Sequence, residues 1–262
     1  MASWYTGGGM TQTEPEHQKI RPRSKGYYVL PNLFTSAGLF AGFYAIVQAM
    51  NGNFGYAAVA IFIAMITDSM DGRIARLTGT QSDFGVQYDS LSDMVAFGIA
   101  PALVIYVWSL QSLGRIGWIA AFVYAAGAAL RLARFNTQVE IADKRFFTGL
   151  PSPAAAALIA GFVWMMYDVG IPGRELNWIS CALTFFAGLT MVSNIRYYSF
   201  KDINLRKSVP FFVVLIPLLA FILLATYPPL VVFFVFVAYG ISGYVLWVIY
   251  YIRRHRSREK PA

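Results

Sequence analysis

The chain has 262 residues, of which 57% are hydrophobic and 13% charged, about half the roughly 25% charge of an ordinary soluble domain. With a mean hydropathy of +0.53 and several apolar runs of 18 residues or more, a single water-soluble globule is excluded and lipid is the expected solvent. The formal net charge of +8 is high for a chain so poor in charge, so the placement of the charges matters more than their sum.

Residues 1–27 are polar, with glycine at 7–9 and prolines at Pro15 and Pro22, and hold no apolar stretch of signal-peptide type. They read as a disordered cytoplasmic tail. The glycine run reads as flexible sequence and not as a phosphate loop, because no strand precedes it. Apolar spans follow near 28–50, 56–74, 86–110, 116–136, 150–169, 177–195, 208–226 and 230–252. Lipid offers no partners to backbone N–H and C=O groups and no period-2 alternation marks a barrel, so all eight are expected to be helices. The fold class expected is therefore an all-α polytopic membrane protein, a bundle of about eight transmembrane helices. Residues 28–207 would form a six-helix core, 208–252 two additional helices, and 253–262 a basic cytoplasmic tail. Cys181 is the only cysteine, which leaves neither a disulfide nor a cysteine metal site, and it reads as packing.

Counting Lys and Arg on alternate sides of these spans gives 19 of the 21 on one side, with only Arg115 and Arg174 opposite. The positive-inside rule then puts both termini in the cytoplasm. The 19 charges form a collar suited to anionic headgroups, although topology determination alone accounts for them equally. Charge spread around loops is a poor match to nucleic acid, so no nucleic-acid partner is expected.

Among only 13 acidic residues, Asp68, Asp71, Asp83, Asp89 and Asp93 fall within 26 positions, in or beside apolar spans. Carboxylates in such segments are costly and mark function when a cation or partner neutralises them. Asp68 and Asp71 are spaced i, i+3, with Ala75 at i+7, and so share one helical face. Gly85, Asp89 and Asp93, at i, i+4 and i+8, share another. A tight connection would bring the two faces together around one small volume. That many hard oxygen ligands suit Mg²⁺ or Mn²⁺, as one ion or two. Gly72, Ala75 and Gly85 would leave room for a ligand or a facing backbone, and Arg76 supplies a planar phosphate donor. The arrangement describes a site for a diphosphate. The alternative, ion pairing with Arg73 and Arg76, leaves acids unpaired.

These residues read D-x2-D-G-x2-A-R-x8-G-x3-D-x3-D from Asp68 to Asp93, and the pattern resembles the signature of the CDP-alcohol phosphotransferase family. Such enzymes move a phosphatidyl or similar group from a CDP-linked donor to an alcohol and release CMP. The resemblance implies that Asp68, Asp71 and Asp89 hold one divalent ion, that Asp93 helps with a second, and that Asp93 is the general base. It also implies nucleotide or diphosphate contacts from Gly72, Ala75, Arg76 and Ser82, and from Asn32 and Thr35 in the stretch Pro31–Thr35. Helix capping after Pro31 is the alternative for Asn32 and Thr35.

The segments Arg131–Asn136, Phe147–Pro153 and Leu30–Gly42 further resemble the bacterial, membrane-embedded phosphatidylserine synthases within that family. This likeness covers about the first 200 residues, and the last two spans look like an extension found in a subset of the group. It implies CDP-diacylglycerol as donor, L-serine as acceptor, a homodimer, and a bacterial inner membrane with the active site at its cytoplasmic face. Arg131 and Arg134, near the end of the fourth span, are the candidates to hold the serine carboxylate, interface anchoring being their other explanation. Pro151 and Pro153 also fit a plain start to the fifth helix. Glycerol 3-phosphate or an inositol-type alcohol stays open as acceptor. Membrane prenyltransferases also pair aspartate motifs with Mg²⁺, but on clusters far apart in sequence. An ion-coupled transporter would show repeat symmetry in its spans, and the acidic motif has no second copy.

Overall fold

The computed structural model describes residues 29–79, 82–138, 146–198 and 222–258, and these are almost wholly helical. The first helix, α1 (Val29–Met50), begins two residues ahead of Pro31. The proline thus sits in the first turn, where its missing N–H removes no helical hydrogen bond. Asn32 and Thr35 therefore lie inside the helix, which sets aside the capping alternative for both. A tight turn with Gly52 at φ +78° leads to α2 (Phe54–Thr78). That helix stops at Gly79, whose φ of 62° and N–H bond to Ala75 O make a left-handed glycine cap.

The next helix, α3 (Asp83–Asp93), is capped by Ser82, whose Oγ accepts the Gly85 N–H at 3.0 Å. Directly after Asp93 the backbone widens into a π-helical segment, Met94–Ile99, before continuing as α4 (Ala100–Trp108). The wide turn fits its neighbours. A Cβ on Gly42 of α1 would lie 2.7 Å from Ala96 Cα, and the Phe97 carbonyl accepts the Tyr124 hydroxyl at 3.0 Å. Tyr124 belongs to α5 (Arg115–Gln138), which is followed by β1 (Phe146–Thr148), α6 (Ser152–Asp168), α7 (Asn177–Val192), β2 (Arg196–Tyr198) and α8 (Pro228–Arg258).

Among the described residues, six stretches are long and apolar enough to cross a membrane: Pro31–Met50, Phe54–Thr78, Asp83–Trp108, Arg115–Thr137, Gly173–Val192 and Pro228–Ile252. The chain is accordingly a multi-pass, predominantly α-helical membrane protein. The expected span at 150–169 is the 17-residue α6, capped by Pro151 with Pro153 in its first turn. Its residues from Ala154 to Val163 are all buried, which makes it the centre of the bundle. The expected span at 208–226 lies outside the described residues except for 222–226, which are helical. The N-terminal tail, 1–27, also lies outside them, and α8 carries the helix through the basic stretch as far as Arg258.

Helices approach closely through small side chains, the device that membrane bundles use where no hydrophobic force drives association. A Cβ on Gly127 of α5 would fall 2.5 Å from the Gly188 carbonyl oxygen of α7. Cys181 is buried and free, as packing requires.

One feature departs from an all-helical expectation. β1 and β2 pair antiparallel, Phe147 facing Tyr197 and Thr148 facing Arg196. Three residues are too few to show alternation, and the partners stand some fifty positions apart. Gly149, at φ +79°, turns the chain from β1 into α6, its N–H on Ile195 O at 2.8 Å. The pair lies at the end of the bundle that also holds the starts of α1, α3 and α6 and the ends of α2, α5 and α7.

Candidate active site

The turn between α2 and α3 brings their two acidic faces together. One carboxylate oxygen from each of Asp68, Asp71 and Asp89 lies within 4.8 Å of the others. Asp93, one turn further along α3, is hydrogen-bonded to Asp68. Helix α1 braces the cluster. The Thr35 hydroxyl donates to Asp71 Oδ2 at 3.0 Å, a shorter and charge-assisted alternative to its 3.2 Å contact with Pro31 O. The Ser92 hydroxyl returns the tie by donating to Thr35 O at 3.0 Å.

Above the acids opens a cavity of about 340 Å³. Asp71, Asp89 and Asp93 reach it, with Asn32 and Thr35 of α1, Gly72 and Ala75 of α2, and Ser82 and Gly85 at the start of α3. A Cβ on Gly72 would meet nothing within 4 Å, so that glycine leaves open volume beside Asp71. Gly85 serves differently, since a Cβ there would sit 3.2 Å from Ser82 Oγ and 3.6 Å from Asn32 Oδ1. The tight contact is with the Ser82 cap of α3 itself, while Asn32 of α1 lies at ordinary van der Waals distance.

The far wall comes from α5, through Leu132, Phe135 and Asn136. The sequence names these three only within the segment Arg131–Asn136 and gives them no role in the site. Their i, i+3, i+4 spacing was the available signal, since it puts all three on one face. Asn136 Nδ2 donates to Ser90 Oγ at 2.9 Å and ties α5 to α3. A similar tie joins α1 to α3: the Ser36 hydroxyl donates to Asn32 O at 2.8 Å, which leaves Tyr88 to donate to Ser36 Oγ, also at 2.8 Å.

The three arginines singled out from sequence stand apart from the cavity wall. Arg76 is exposed on the last turn of α2. Arg134 donates to Asn194 Oδ1 at 3.3 Å, across to the end of α7. Arg131 runs inward, its Nη1 donating to Ser152 Oγ at 2.7 Å and its electrostatic neighbours being Asp93, Tyr239 and Asp68. Arg131 thus lies within electrostatic range of the acid cluster without lining its cavity.

The donor set suits a hard divalent cation. Three carboxylates converge on one point, a fourth adjoins them, and all are oxygen ligands whose mutual repulsion such an ion relieves. The open volume beside them has Gly72 and the polar side chains of Asn32, Thr35 and Ser82 along it, with Pro31, Val86, Leu132 and Phe135 completing its walls.

Comparison with known proteins agrees with this geometry. The chain is 37% identical over 238 residues to the CDP-diacylglycerol--serine O-phosphatidyltransferase of Helicobacter pylori, covering 90% of this chain and 98% of that protein. A protein of the same description from Mycobacterium leprae is 33% identical over 67% of this chain and 61% of its own length. The archaetidylserine synthase of Methanothermobacter thermautotrophicus is 33% identical over 65% of this chain and 70% of its own length. Residues 28–189, which hold the whole acid cluster and its cavity, match the CDP-alcohol phosphatidyltransferase family, and the chain belongs to that family.

Proposed function

We propose that this enzyme transfers the phosphatidyl group of CDP-diacylglycerol to the hydroxyl of L-serine, giving phosphatidylserine and CMP. The observation that carries the choice of acceptor is the likeness to the Helicobacter pylori protein, which extends over 90% of this chain and 98% of that protein. The observation that supports the chemistry is the convergence of Asp68, Asp71 and Asp89 beside an open cavity.

Family members depend in general on a divalent metal, and the Asp cluster is the place for it here. Asp68, Asp71 and Asp89 would hold a first Mg²⁺ or Mn²⁺, and Asp93 would contribute to a second. Such an ion supplies positive charge to the diphosphate and to the departing CMP. In our reading the cytidine diphosphate lies in the cavity against Asn32, Thr35, Gly72, Ala75, Ser82 and Gly85. Arg76, on its long exposed side chain, meets the phosphates from the rim. Asp93 accepts the proton of the serine hydroxyl as that oxygen bonds to the phosphatidyl phosphorus and the bond to CMP breaks. Arg131, and more distantly Arg134, pairs with the serine carboxylate. Positioning and electrostatics then carry most of the rate.

The same reading includes eight crossings: a core of six over 28–207 and two more over 208–252. It is supported by α8 beginning beside Asp168, to which Tyr227 is hydrogen-bonded, whereas β2 ends at the opposite end of the bundle. With 19 of 21 basic residues on one side, the active site would face the cytoplasm of a bacterial inner membrane, in a homodimer surrounded by anionic lipid. The test is an acceptor panel on detergent-purified protein with CDP-diacylglycerol and Mg²⁺ or Mn²⁺. Serine should release CMP and glycerol 3-phosphate and inositol should not; metal-dependent CMP release on glycerol 3-phosphate alone would reassign the acceptor.

A further inference from the structure

The cavity beside the acid cluster has two unlike walls. One is built by α1, α2 and the start of α3 and takes the cytidine diphosphate in the reading above. The other comes from α5, through Leu132, Phe135 and Asn136, and Asn136 reaches across to Ser90 of α3. Ser90 and Asp93 both line the cavity and are spaced i, i+3, so they share one face of α3 and the α5 wall adjoins the proposed base. Among the described residues, Asn136 is the one polar side chain that α5 brings to this cavity.

Ser90 sets the orientation of the Asn136 carboxamide. The Ser90 hydroxyl has one proton and two carbonyl oxygens in reach, Val86 O at 3.1 Å and Asn136 Oδ1 at 3.3 Å. Donation to Val86 O, the shorter of the two, leaves Ser90 Oγ to accept from Asn136 Nδ2 at 2.9 Å. Turning the carboxamide over would forfeit one of these two bonds. Whichever carbonyl takes the Ser90 proton, Asn136 Oδ1 keeps at least one lone pair for a ligand. An otherwise apolar wall thus holds a braced, neutral hydrogen-bond acceptor close to carboxylates, and among the described residues no Lys or Arg lines the cavity. Such a wall suits a cationic hydrogen-bond donor and disfavours a second phosphate.

We propose that Asn136 is a specificity-determining residue of the acceptor pocket: its Oδ1 accepts a hydrogen bond from the ammonium group of a small α-amino acid, with Ser90 as the positioning residue that holds the carboxamide in place. This rests on the reading of serine as the acceptor and of Asp93 as its base. An acceptor whose hydroxyl meets Asp93 lies against the α5 wall, where its ammonium has Asn136 to donate to. A phosphorylated alcohol finds no matching partner on that wall.

Asn136→Leu in the full chain tests it, since leucine keeps the volume and removes both polar atoms. KM for serine should rise about tenfold, while KM for CDP-diacylglycerol stays within about twofold. 3-Hydroxypropanoate is serine without its ammonium group, so its Ki against incorporation of labelled serine should be the same in wild type and variant. Ser90→Ala removes the brace with less disturbance to packing, and it carries the same comparison should Asn136→Leu fail to fold. It should raise the serine KM several-fold and add little on top of Asn136→Leu, because the serine hydroxyl acts through the carboxamide. An unmoved serine KM, a rise shared by CDP-diacylglycerol, or a Ki for 3-hydroxypropanoate that climbs with the serine KM would each overturn the proposal. A wild-type enzyme that incorporates no serine would overturn the acceptor reading instead, and that result is visible before any variant is made.

Discussion

The Thr35 hydroxyl donates a hydrogen bond of 3.0 Å to Asp71 Oδ2, and both residues are buried. This bond crosses from α1 to α2 and, together with the Gly72 backbone N–H that Asp71 also accepts, holds the carboxylate in orientation beside its acidic neighbours. Partners of this kind behind metal ligands typically matter by ten- to a hundredfold in metal affinity. Thr35→Val keeps the shape and removes the donor, so Mn²⁺ affinity, read by titration calorimetry without substrate, should fall about tenfold. Thr35→Ser should restore most of it. Equal affinities in wild type and Thr35→Val would leave Thr35 as a cavity contact only.

Asp93 lines the cavity, is hydrogen-bonded to Asp68 and stands one residue before the π-helical turn. Asp93→Asn is expected to fold and to bind CDP-diacylglycerol within a few-fold of wild type, while turnover falls by about 10² to 10⁴, the range for loss of a general base. Binding by ligand-induced thermal stabilisation and CMP release together check this. Retained turnover would remove Asp93 from the base role. Chelation by EDTA should abolish turnover in wild type and be reversed by added Mg²⁺ or Mn²⁺.

Much of this site was legible in the chain because its chemistry repeats at helical spacing. Asp68 and Asp71, then Gly85, Asp89 and Asp93, declare two faces by themselves, and only their convergence needed the fold. Thr35 and Ser92 were harder to read. They act across 36 and 57 positions, respectively, and a hydroxyl in a helix carries no signal of which distant group it serves. The π-helical turn after Asp93 was hidden for a related reason: its register is set by the close approach of Gly42 to Ala96 and by the Tyr124 bond to Phe97 O, both of them tertiary. The strands at Phe146–Thr148 and Arg196–Tyr198 escaped because three residues display no period. Composition located the last helix, but its docking on Tyr197 and Tyr198 is not visible until β1 and β2 are paired.

The α5–α7 seam offers a test of packing that is independent of the chemistry. A Cβ on Gly127 would lie 2.5 Å from Gly188 O, and one on Gly188 would lie 2.9 Å from Tyr124 Cα. These clashes are with backbone, which cannot swing aside. Gly127→Ala should therefore separate the two helices and cost about 1 to 3 kcal/mol, seen as a lower thermal unfolding midpoint in detergent. Because α5 also carries Asn136 and Arg131, the surviving enzyme should show raised KM values for donor and acceptor alike. An unshifted midpoint would mean that α5 and α7 stand further apart than this geometry requires.

Two glycines on the cavity wall should respond in opposite ways to the same small change. Gly72 faces open volume, so Gly72→Ala meets no clash and gains up to about 1 kcal/mol of helix preference. Its added methyl group projects beside Asp71 into the space assigned to the diphosphate. The unfolding midpoint should hold or rise while KM for CDP-diacylglycerol increases several-fold. Gly85→Ala instead places its methyl 3.2 Å from Ser82 Oγ and 3.6 Å from Asn32 Oδ1, against the cap that starts α3. Stability and donor binding should then fall together, because the cap bond from the Gly85 N–H to Ser82 Oγ is strained at the point where the cavity wall is built. If the two variants behaved alike, in either direction, the diphosphate would not occupy the space beside Gly72.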